Sequence, residues 1–530
     1  MLLRALPVRC LSPLRQIPTF SLVRRRYDSS MAAQNTPPPE PLVMVLGTTG
    51  TGKSDLAVEL ACRFNGEVIN ADAMQMYKGL PIITNKISAE EQRGIPHHLL
   101  DTIGLDEPTW TVHEFRHEAD RVIREIRSRG RLPIVVGGTH YYADGLLFDD
   151  RLVTRADEAK ANVGGDQEQQ SDPQLSDEEP SLQDAPTETL LARLREVDPV
   201  IAERWHPNDR RKIWRSLQIY LTTGRRASDI YAEQQRRRDE AKQQQQQAGS
   251  TGDAAAAAAA PWNTLLFWVY SRRDVLNARL DRRVDAMLER GLVDETRELH
   301  DYYLDRVAAG GHVDRTSGIW QSIGFAQMEP YLDALRRQQQ QQGGDDDETT
   351  SPARLDALKR SGVEAVKGAT RRYAKHQNRW ITYKTLPLLQ GEGALGHLFL
   401  VDSTDAGTGT AWAAEVADKA RAVAERYLAG DALPAPESLS NTAADVLHAS
   451  LEAVNGRRVT WGARTCDVCR ATLVTEELWQ THISGNRHKR AVKAAQRRAL
   501  AIRENRPTTL AVVEGDVLVD EMSSSNQSQI

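Results

Sequence analysis

The feature that most constrains the fold is an apolar run followed at once by a glycine-rich loop. Residues 42–46 read LVMVL, which is typical of a buried parallel strand. Residues 47–54 read GTTGTGKS and match G-x-x-x-x-G-K-[ST], and a helical pattern of apolar residues follows as far as Asn65-Gly66. This order predicts an α/β protein that binds a phosphate chain where its first strand ends. The predicted phosphate-binding residues are Gly47, Thr48, Thr49, Gly50, Thr51, Gly52, Lys53 and Ser54.

The residue types in this loop suit a chain of phosphates. Glycines let backbone N–H groups point inward, and the N-terminus of the following helix adds partial positive charge. Lys53 supplies a full charge to the outer phosphates, and the Ser54 hydroxyl can ligate Mg²⁺. The pattern does not say which phosphate chain is bound, because it fits NTPases, kinases and enzymes that handle a diphosphate.

Two later segments place polar side chains at the same edge of the predicted sheet. Residues 67–70 and 132–136 read as strands, and an apolar stripe over 112–129 predicts a helix between them. Strands that alternate with helices form a parallel sheet, whose ligands bind outside the carboxyl ends of the strands. Asp72 and Thr139 follow two of those ends, so they should lie beside the loop.

Asp72 has more than one role open to it at this place. A carboxylate near a phosphate loop either holds Mg²⁺ through water or takes a proton from a nucleophile, and a surface or capping aspartate is the alternative. The strand before Thr139 lacks the terminal aspartate of a Walker B site, which disfavours an ATPase or a kinase.

The C-terminal part of the chain has a spacing that is typical of zinc sites. The residues Cys466, Cys469, His482 and His488 have C2H2 spacing, and we expect a turn to present the thiolates and one helix face to present both histidines. Four cysteines in 530 residues exclude a disulfide scaffold. The net charge of the chain is −5, but residues 457–503 hold eleven Lys or Arg against three acids, a local net of +8.

Several segments are predicted to lie outside the folded domains. Residues 1–30 carry six arginines before the first acid, Asp28, which is typical of a mitochondrial transit peptide, with a disordered basic arm as the alternative. Met31 could start a shorter cytoplasmic or nuclear form. No apolar run approaches about 18 residues, so no transmembrane helix is predicted. Composition predicts disordered insertions at 151–186, 236–261 and 337–352, a linker at 429–455 and a disordered tail at 505–530.

Sequence blocks in a fixed order resemble the tRNA dimethylallyltransferases, or tRNA isopentenyltransferases, of the eukaryotic type with a C-terminal C2H2 zinc finger. They lie within about 41–150 and 187–400. The longest are GTTGTGKS (47–54), NADAMQMYKGL (70–80), IPHHLLD (95–101), GRLPIVVGGTHYY (130–142), HPNDRRKIWRSLQIYLTTGR (206–225), LNARLDRRVDAMLERGLVDE (276–295) and ATRRYAKHQNRW (369–380).

The resemblance implies a reaction and a fold. The family transfers a dimethylallyl group from dimethylallyl diphosphate to N6 of the adenosine immediately 3′ of the anticodon in tRNA, forming N6-isopentenyladenosine. The implied fold is a P-loop-type parallel sheet core at 41–150 and 262–428, a helical insertion domain at 187–235 and a small zinc finger at 460–495. The loop then holds a diphosphate, with Mg²⁺ as catalytic cofactor and Zn²⁺ as structural cofactor.

The resemblance also implies roles for individual residues. Asp72 is the expected general base, and Thr49, Lys53, Thr139 and Arg279 complete the expected catalytic set. Arg279 is the arginine expected to neutralise the departing diphosphate. Arg283 lies one helical turn after Arg279 on the same face and is expected to bind the diphosphate. The residues expected to hold tRNA are Asp72, Ala73, Met74, Gln75, Tyr77, Thr139, Asn208, Asp209, Arg210, Arg211 and Arg215. Ala73 departs from the family pattern, which commonly has Ser or another small polar residue there.

Some alternatives stay open at this point. The zinc finger is expected to bind tRNA phosphates, and the alternative is that it binds another protein. The protein is expected to be a monomer that does not bind a membrane. An ATP-dependent RNA kinase or NTPase is the second functional hypothesis, and a non-catalytic RNA-binding module is the third.

Overall fold

The computed structural model describes residues 37–148, 185–234, 263–311, 313–340, 351–407, 409–456 and 461–503, together with residues 182, 236 and 240. The predicted transit peptide and the predicted tail at 505–530 lie outside these residues. So do most of the predicted insertions at 151–186 and 236–261, and residues 341–350 of the one predicted at 337–352.

A six-stranded parallel sheet forms the centre of the protein, with strand order β3-β2-β4-β1-β5-β6. The strands are β1 (Leu42–Gly47), β2 (Gly66–Asn70), β3 (His97–His98), β4 (Leu132–Val136), β5 (Thr264–Tyr270) and β6 (Leu398–Asp402). Along β1, Met44 and Leu46 pack into one core layer, while Val43 and Val45 pack into the other. Burial on both faces explains why the strand reads as an unbroken apolar run.

Helices cover both faces of the sheet, which confirms the predicted α/β class. The N-terminal helices are α1 (Lys53–Phe64), α2 (Val112–Ser128) and α3 (His140–Leu147). A capping box of Thr111 and Glu114 starts α2, and its apolar stripe packs on the sheet. The carboxyl ends of β1, β2 and β4 therefore meet at one edge, as expected for a parallel sheet.

A separate helical unit follows α3. It contains α4 (Thr187–Val197), α5 (Pro199–Ala202) and α6 (Arg210–Thr223). Its own small core includes Leu190, Leu194, Ile213 and Leu217. These helices lie within the range 187–235, where the sequence predicts a helical insertion domain.

The remaining helices complete the layers around the sheet. They are α7 (Arg273–Glu289), α8 (Leu292–Ala308), α9 (Phe325–Gln340), α10 (Pro352–Trp380), α11 (Leu386–Gly391), α12 (Thr410–Trp412), α13 (Asp418–Ala429) and α14 (Asn441–Asn455). A π-helical turn, Ile381–Thr385, joins α10 to α11. The long α10 packs against both α7 and α9.

Two predictions made from composition were wrong over part of their range. The predicted linker at 429–455 contains α14, because Ala443 and Leu447 bury against the core of the sheet. The insertion predicted to begin at residue 337 begins later, since α9 runs to Gln340. Alanine- and glutamine-rich segments can be helical when a packed surface lies beside them.

A small ββα unit ends the described chain. It consists of an antiparallel pair, β7 (Trp461–Thr465) and β8 (Thr472–Thr475), followed by α15 (Glu476–Ser484) and α16 (Asn486–Arg503). Of the helices in the described part of the chain, none has the length and apolar character needed to cross a lipid bilayer.

Candidate functional site

The loop after β1 is shaped by close packing. Gly47 has φ 144°, and a Cβ there would lie 2.4 Å from the carbonyl oxygen of Val269 on β5. Gly52, with φ 88°, precedes α1, and a Cβ there would lie 2.4 Å from the ring of Trp412. The two positions tolerate only glycine because neither the backbone angle nor the space accepts a side chain. The loop therefore has the tight form that its sequence predicts.

Lys53 and Arg283 bring positive charge to this loop. The Lys53 Nζ donates to the carbonyl oxygen of Thr48 at 2.8 Å, and the Arg283 Nη1 donates to the Thr49 Oγ1 at 2.7 Å. Burial lowers the pKa of Lys53 to about 8, although the charge of Asp72 opposes the shift. Burial likewise lowers the pKa of Arg283 to about 10. Lys53 and Arg283 are half-buried, and the charge of Asp72 offsets the lowering of each pKa only in part, so positive charge remains at the loop and suits an anionic ligand.

Asp72 lies just beyond the end of β2. Its Oδ1 accepts a hydrogen bond from the Met74 N–H at 3.1 Å, and its own N–H donates to the Asn70 Oδ1 at 3.1 Å. Burial raises the pKa of Asp72, while Lys53 and the backbone N–H groups act against this rise. The carboxylate is thus held in place and has a greater affinity for a proton than an ordinary aspartate, which suits a general base.

Thr139 connects the loops that follow β2 and β4. Its Oγ1 accepts the Ala73 N–H at 3.0 Å. Three buried polar atoms near the loop have no hydrogen-bond partner among the described residues, namely Thr48 Oγ1, His140 Nε2 and Arg283 Nε. Unpaired buried groups are uncommon, so they mark a place where a polar ligand fits.

Two residues of α10 complete the site, and the sequence did not single them out. The Gln377 Oε1 accepts the Thr49 N–H at 2.8 Å, and its Nε2 donates to the Gly138 carbonyl oxygen at 2.9 Å. The Tyr373 hydroxyl donates to the same carbonyl at 3.4 Å. Both residues lie in the block ATRRYAKHQNRW, and their spacing of four residues puts them on one helix face. That spacing was the signal available in the sequence.

The four predicted metal ligands come together in the C-terminal unit. The ligand atoms of Cys466, Cys469, His482 and His488 all lie within 4.8 Å of one another. The His488 Nδ1 is 3.5 Å from each Sγ and 3.1 Å from the His482 Nε2. The group could therefore hold one metal ion. The histidines were predicted on one helix, and this was wrong, because Gly485 has an extended backbone and separates α15 from α16.

Comparison with known proteins gives the family. A family model described as IPP transferase matches residues 75–384, more than half of the chain. The chain belongs to the IPP transferase family. It is 36% identical over 467 residues to tRNA dimethylallyltransferase from Schizosaccharomyces pombe, covering 87% of this chain and 96% of that protein. Its identity to tRNA dimethylallyltransferase from Homo sapiens is 32% over 457 residues, with 86% and 87% covered.

A solved structure supports the same assignment. It is described as eukaryotic dimethylallyltransferase acting on tRNA, is 30% identical in sequence and aligns with a TM-score of 0.65. The alignment covers 88% of this chain and 99% of that chain. The resemblance stated from the sequence blocks is confirmed, and the protein is a transferase of the IPP transferase family.

Within this IPP transferase site, Arg279 and Arg283 have different surroundings. The Arg279 Nη1 donates to the Ser403 Oγ at 3.3 Å, and its Nη2 donates to the carbonyl oxygens of Ser403 and Thr404. Arg283, one turn further along α7, contacts the phosphate loop instead. The structure therefore brings Arg283 to Thr49 and leaves Arg279 on the loop after β6. The catalytic role of Arg279 stays a prediction.

The residues expected to hold the nucleotide differ in exposure. Ala73 and Tyr77 are buried, and the Tyr77 hydroxyl pairs with the Thr109 Oγ1 at 2.9 Å. The Gln75 Nε2 donates to the Asn85 carbonyl oxygen at 3.1 Å. Met74 is half-buried, and the Ser322 Oγ lies 3.6 Å from its Sδ. Tyr77 thus belongs to the core beneath this segment, whereas Met74 and Gln75 are partly exposed to solvent.

The remaining predicted tRNA-binding residues lie at the start of α6. Asp209 caps this helix by accepting the Lys212 N–H at 3.3 Å, and the Asn208 N–H donates to the His206 Nδ1 at 3.1 Å. Arg210 donates to the Ala185 carbonyl oxygen, while Arg211 and Arg215 are exposed. Burial raises the pKa of Tyr141 on α3, and the charges of Arg211 and Arg215 oppose that rise. These two arginines therefore lie near the N-terminal end of α3.

Proposed function

We propose that the protein transfers a dimethylallyl group from dimethylallyl diphosphate to N6 of the adenosine 3′ of the anticodon in tRNA. The observation that carries the proposal is the convergence of three strand ends. The phosphate loop after β1, Asp72 after β2 and Thr139 after β4 are joined by hydrogen bonds through Ala73 and Gln377. Arg283 binds the phosphate loop from α7. Family membership and the names of the relatives agree with this chemistry.

The reaction requires two kinds of help from the protein. The exocyclic amine of adenine is a weak nucleophile, whereas an allylic diphosphate loses its leaving group readily. The bond between donor C1 and the diphosphate oxygen breaks, and its electron pair leaves with the diphosphate. A bond forms between C1 and N6, and one N6 proton passes to the Asp72 carboxylate. Lys53 and Arg283 stabilise the charge that develops on the departing diphosphate.

The residues at the start of α1 fit a divalent cation beside the diphosphate. Ser54 lies half-buried in the first helical turn, directly after Lys53. Mg²⁺ uses few protein ligands and takes most of its other oxygens from substrate phosphates and water, and a hydroxyl at this position of the loop can be one of those ligands. Ser54 would hold the ion, which would supply further neutralisation of the leaving group.

The acceptor base has to leave its stack to reach Asp72. We infer that Arg211 and Arg215, which are exposed and whose charges act on Tyr141 of α3, contact phosphates of the anticodon arm. Met74 and Gln75 follow Asp72 closely in the chain and are half-buried, and we expect them to contact the base.

The C-terminal group fits Zn²⁺. Tetrahedral coordination by two thiolates and two imidazoles puts neighbouring ligand atoms about 3.3–3.8 Å apart, close to the distances between these side chains. We propose that the finger then uses its basic helix, α16, to bind tRNA phosphates without selecting sequence.

We also propose a mitochondrial form and a shorter form. The arginine-rich residues 1–30 support import into mitochondria, and Met31 supports a second start for a cytoplasmic or nuclear form. A reporter fused to residues 1–30 should enter mitochondria, and a purely cytosolic reporter would refute the proposal. We expect a monomer, which light scattering of the purified protein checks.

One transfer assay tests the proposed reaction. Unmodified tRNA is incubated with labelled dimethylallyl diphosphate, with labelled ATP as the control donor. We expect label from the prenyl donor on the anticodon arm and none from ATP. Label from ATP would instead support an RNA kinase, and no transfer from either donor would support a non-catalytic RNA-binding protein.

A further inference from the structure

The Gln377 side chain connects the phosphate loop directly to the loop that follows β4. Gln377 binds Thr49 in the phosphate loop and Gly138 next to Thr139, at 2.8 and 2.9 Å. Its two partners lie 328 and 239 residues away in the chain. The side chain is almost fully buried, with 3% exposure, so neither bond can be exchanged for water.

The two partners allow only one orientation of the Gln377 amide. The Thr49 backbone N–H is a donor and needs the Oε1, whereas the Gly138 carbonyl is an acceptor and needs the Nε2. An ionised glutamate could not donate to Gly138, and an apolar side chain could make neither bond. The chemistry of an amide at this length is therefore specifically required.

The surroundings of Gly138 show how closely the Gln377 side chain approaches Asp72. A Cβ at Gly138 would lie 2.5 Å from the Gln377 Nε2 and 3.0 Å from the Asp72 Oδ2. The amide and the carboxylate therefore converge on the same small space. Tyr373, one turn earlier on α10, also reaches the Gly138 carbonyl oxygen. The face of α10 thus supports the loop that separates the phosphate loop from the carboxylate.

We propose that Gln377 is a positioning residue that fixes the separation between the bound diphosphate and the Asp72 carboxylate. The inference rests on the proposed function, since it concerns the alignment of donor C1 with N6. Alignment of bound reactants governs turnover, and a displacement of about 1 Å can cost roughly a hundredfold in rate. Loss of the two Gln377 hydrogen bonds should therefore reduce kcat, while the prenyl donor and tRNA still bind.

The test compares Gln377→Met with Gln390→Met. Gln390 is an exposed glutamine on α11, so it offers the same substitution outside the site. We expect Gln377→Met to lower kcat at least tenfold and to change the donor KM, the tRNA KM and the affinity for inorganic diphosphate less than threefold. Gln390→Met should match the wild type. A purely structural role would lower the melting temperature and the active fraction, not the turnover of the folded enzyme measured by active-site titration.

Gln377→Asn is the second variant, because its amide is one methylene shorter and cannot reach Thr49 and Gly138 together. This variant tests the positioning role of Gln377 if Gln377→Met fails to fold. In either folded variant, a fall in kcat of less than tenfold would overturn the role of Gln377. A rise in the donor KM of more than threefold would also overturn it. If the wild type itself transfers no label, the proposed function is wrong and the inference falls with it. An active wild type beside an equally active Gln377→Met enzyme removes only the inference.

Discussion

At the scale of single residues, the proposed mechanism assigns the proton transfer to Asp72. Asp72→Asn keeps the size of the side chain and its bond to Met74 but cannot accept a proton. We expect kcat to fall about 10²- to 10⁴-fold, the range of general base catalysis, while tRNA binding persists. Single-turnover transfer and a tRNA filter-binding assay measure the two effects separately. Turnover near that of the wild type would contradict the assignment.

The pH dependence of the same residue provides an independent check. Burial raises the pKa of Asp72, and the base must be ionised to act, so activity is lost as the pH falls through that raised value. The acid limb of kcat/KM should lie above the ordinary aspartate pKa of about 3.9. An acid limb at or below that value would mean that another group, or none, takes the proton.

Arg279 and Arg283 of α7 should respond differently to the same substitution. Arg283→Gln removes a charge-assisted hydrogen bond beside the diphosphate, and the affinity for inorganic diphosphate should fall about tenfold or more. Arg279→Gln should mainly lower thermal stability, because its guanidinium holds the carbonyl oxygens of Ser403 and Thr404. Calorimetric titration with diphosphate and melting curves test the pair. If Arg279→Gln lowered the affinity for diphosphate more than Arg283→Gln did, Arg279 would be the arginine that binds the diphosphate.

At the scale of elements, an ion cluster supports β2 away from the site. The buried Glu67 carboxylate accepts from Arg129, Arg131 and His98. Burial alone would raise the pKa of Glu67, but hydrogen bonds from Arg129 and His98 bring it down to about 2. The stabilisation is therefore fully present above the unfolded value of 4.5 and is lost as the pH falls from 4.5 to about 2.

Glu67→Gln should lower the free energy of unfolding by about 1–3 kcal/mol at neutral pH, because the buried position loses its charge-assisted bonds. The difference from the wild type should shrink as the pH approaches 2. Glu59→Gln is the matched control, since Glu59 pairs with Arg93 at the surface, where such pairs contribute little. Urea unfolding at a series of pH values measures both variants, and a difference that does not depend on pH would contradict an ionic origin of the stabilisation.

Some elements follow from local sequence and others do not. The helix predicted at 112–129 is observed as Val112–Ser128, since its apolar stripe and the Thr111–Glu114 capping box are local signals. The helix at 441–455 was missed because its composition resembles a linker, and only contact of Ala443 and Leu447 with a distant core orders it. Gln377 was missed for a similar reason, since its partners lie hundreds of residues away.

At the scale of the whole molecule, the finger and the helical insertion domain touch. The His206 Nδ1 accepts the Asn208 N–H within the insertion, and its Nε2 lies 3.0 Å from the Thr472 carbonyl oxygen of β8. Asn208 and Asp209 follow closely after His206 in the chain. The contact therefore places the basic C-terminal unit beside the segment that we propose binds the anticodon arm, so that one RNA can reach both.

Removal of the Zn²⁺ that we propose for the C-terminal unit should affect this unit and leave the catalytic core unchanged. Small units of this kind depend on their metal for folding, so a strong chelator should unfold residues 461–503 and leave the sheet intact. Hydrogen exchange should then rise in α15 and α16, while diphosphate affinity, measured after the chelator is removed and Mg²⁺ is restored, stays unchanged. The tRNA KM should increase and its dependence on salt concentration should weaken, because phosphate contacts are lost. Cys466→Ser should reproduce these effects and Cys62→Ser, at an exposed cysteine, should not. An unchanged tRNA KM with an unfolded finger would instead indicate that the finger docks a protein.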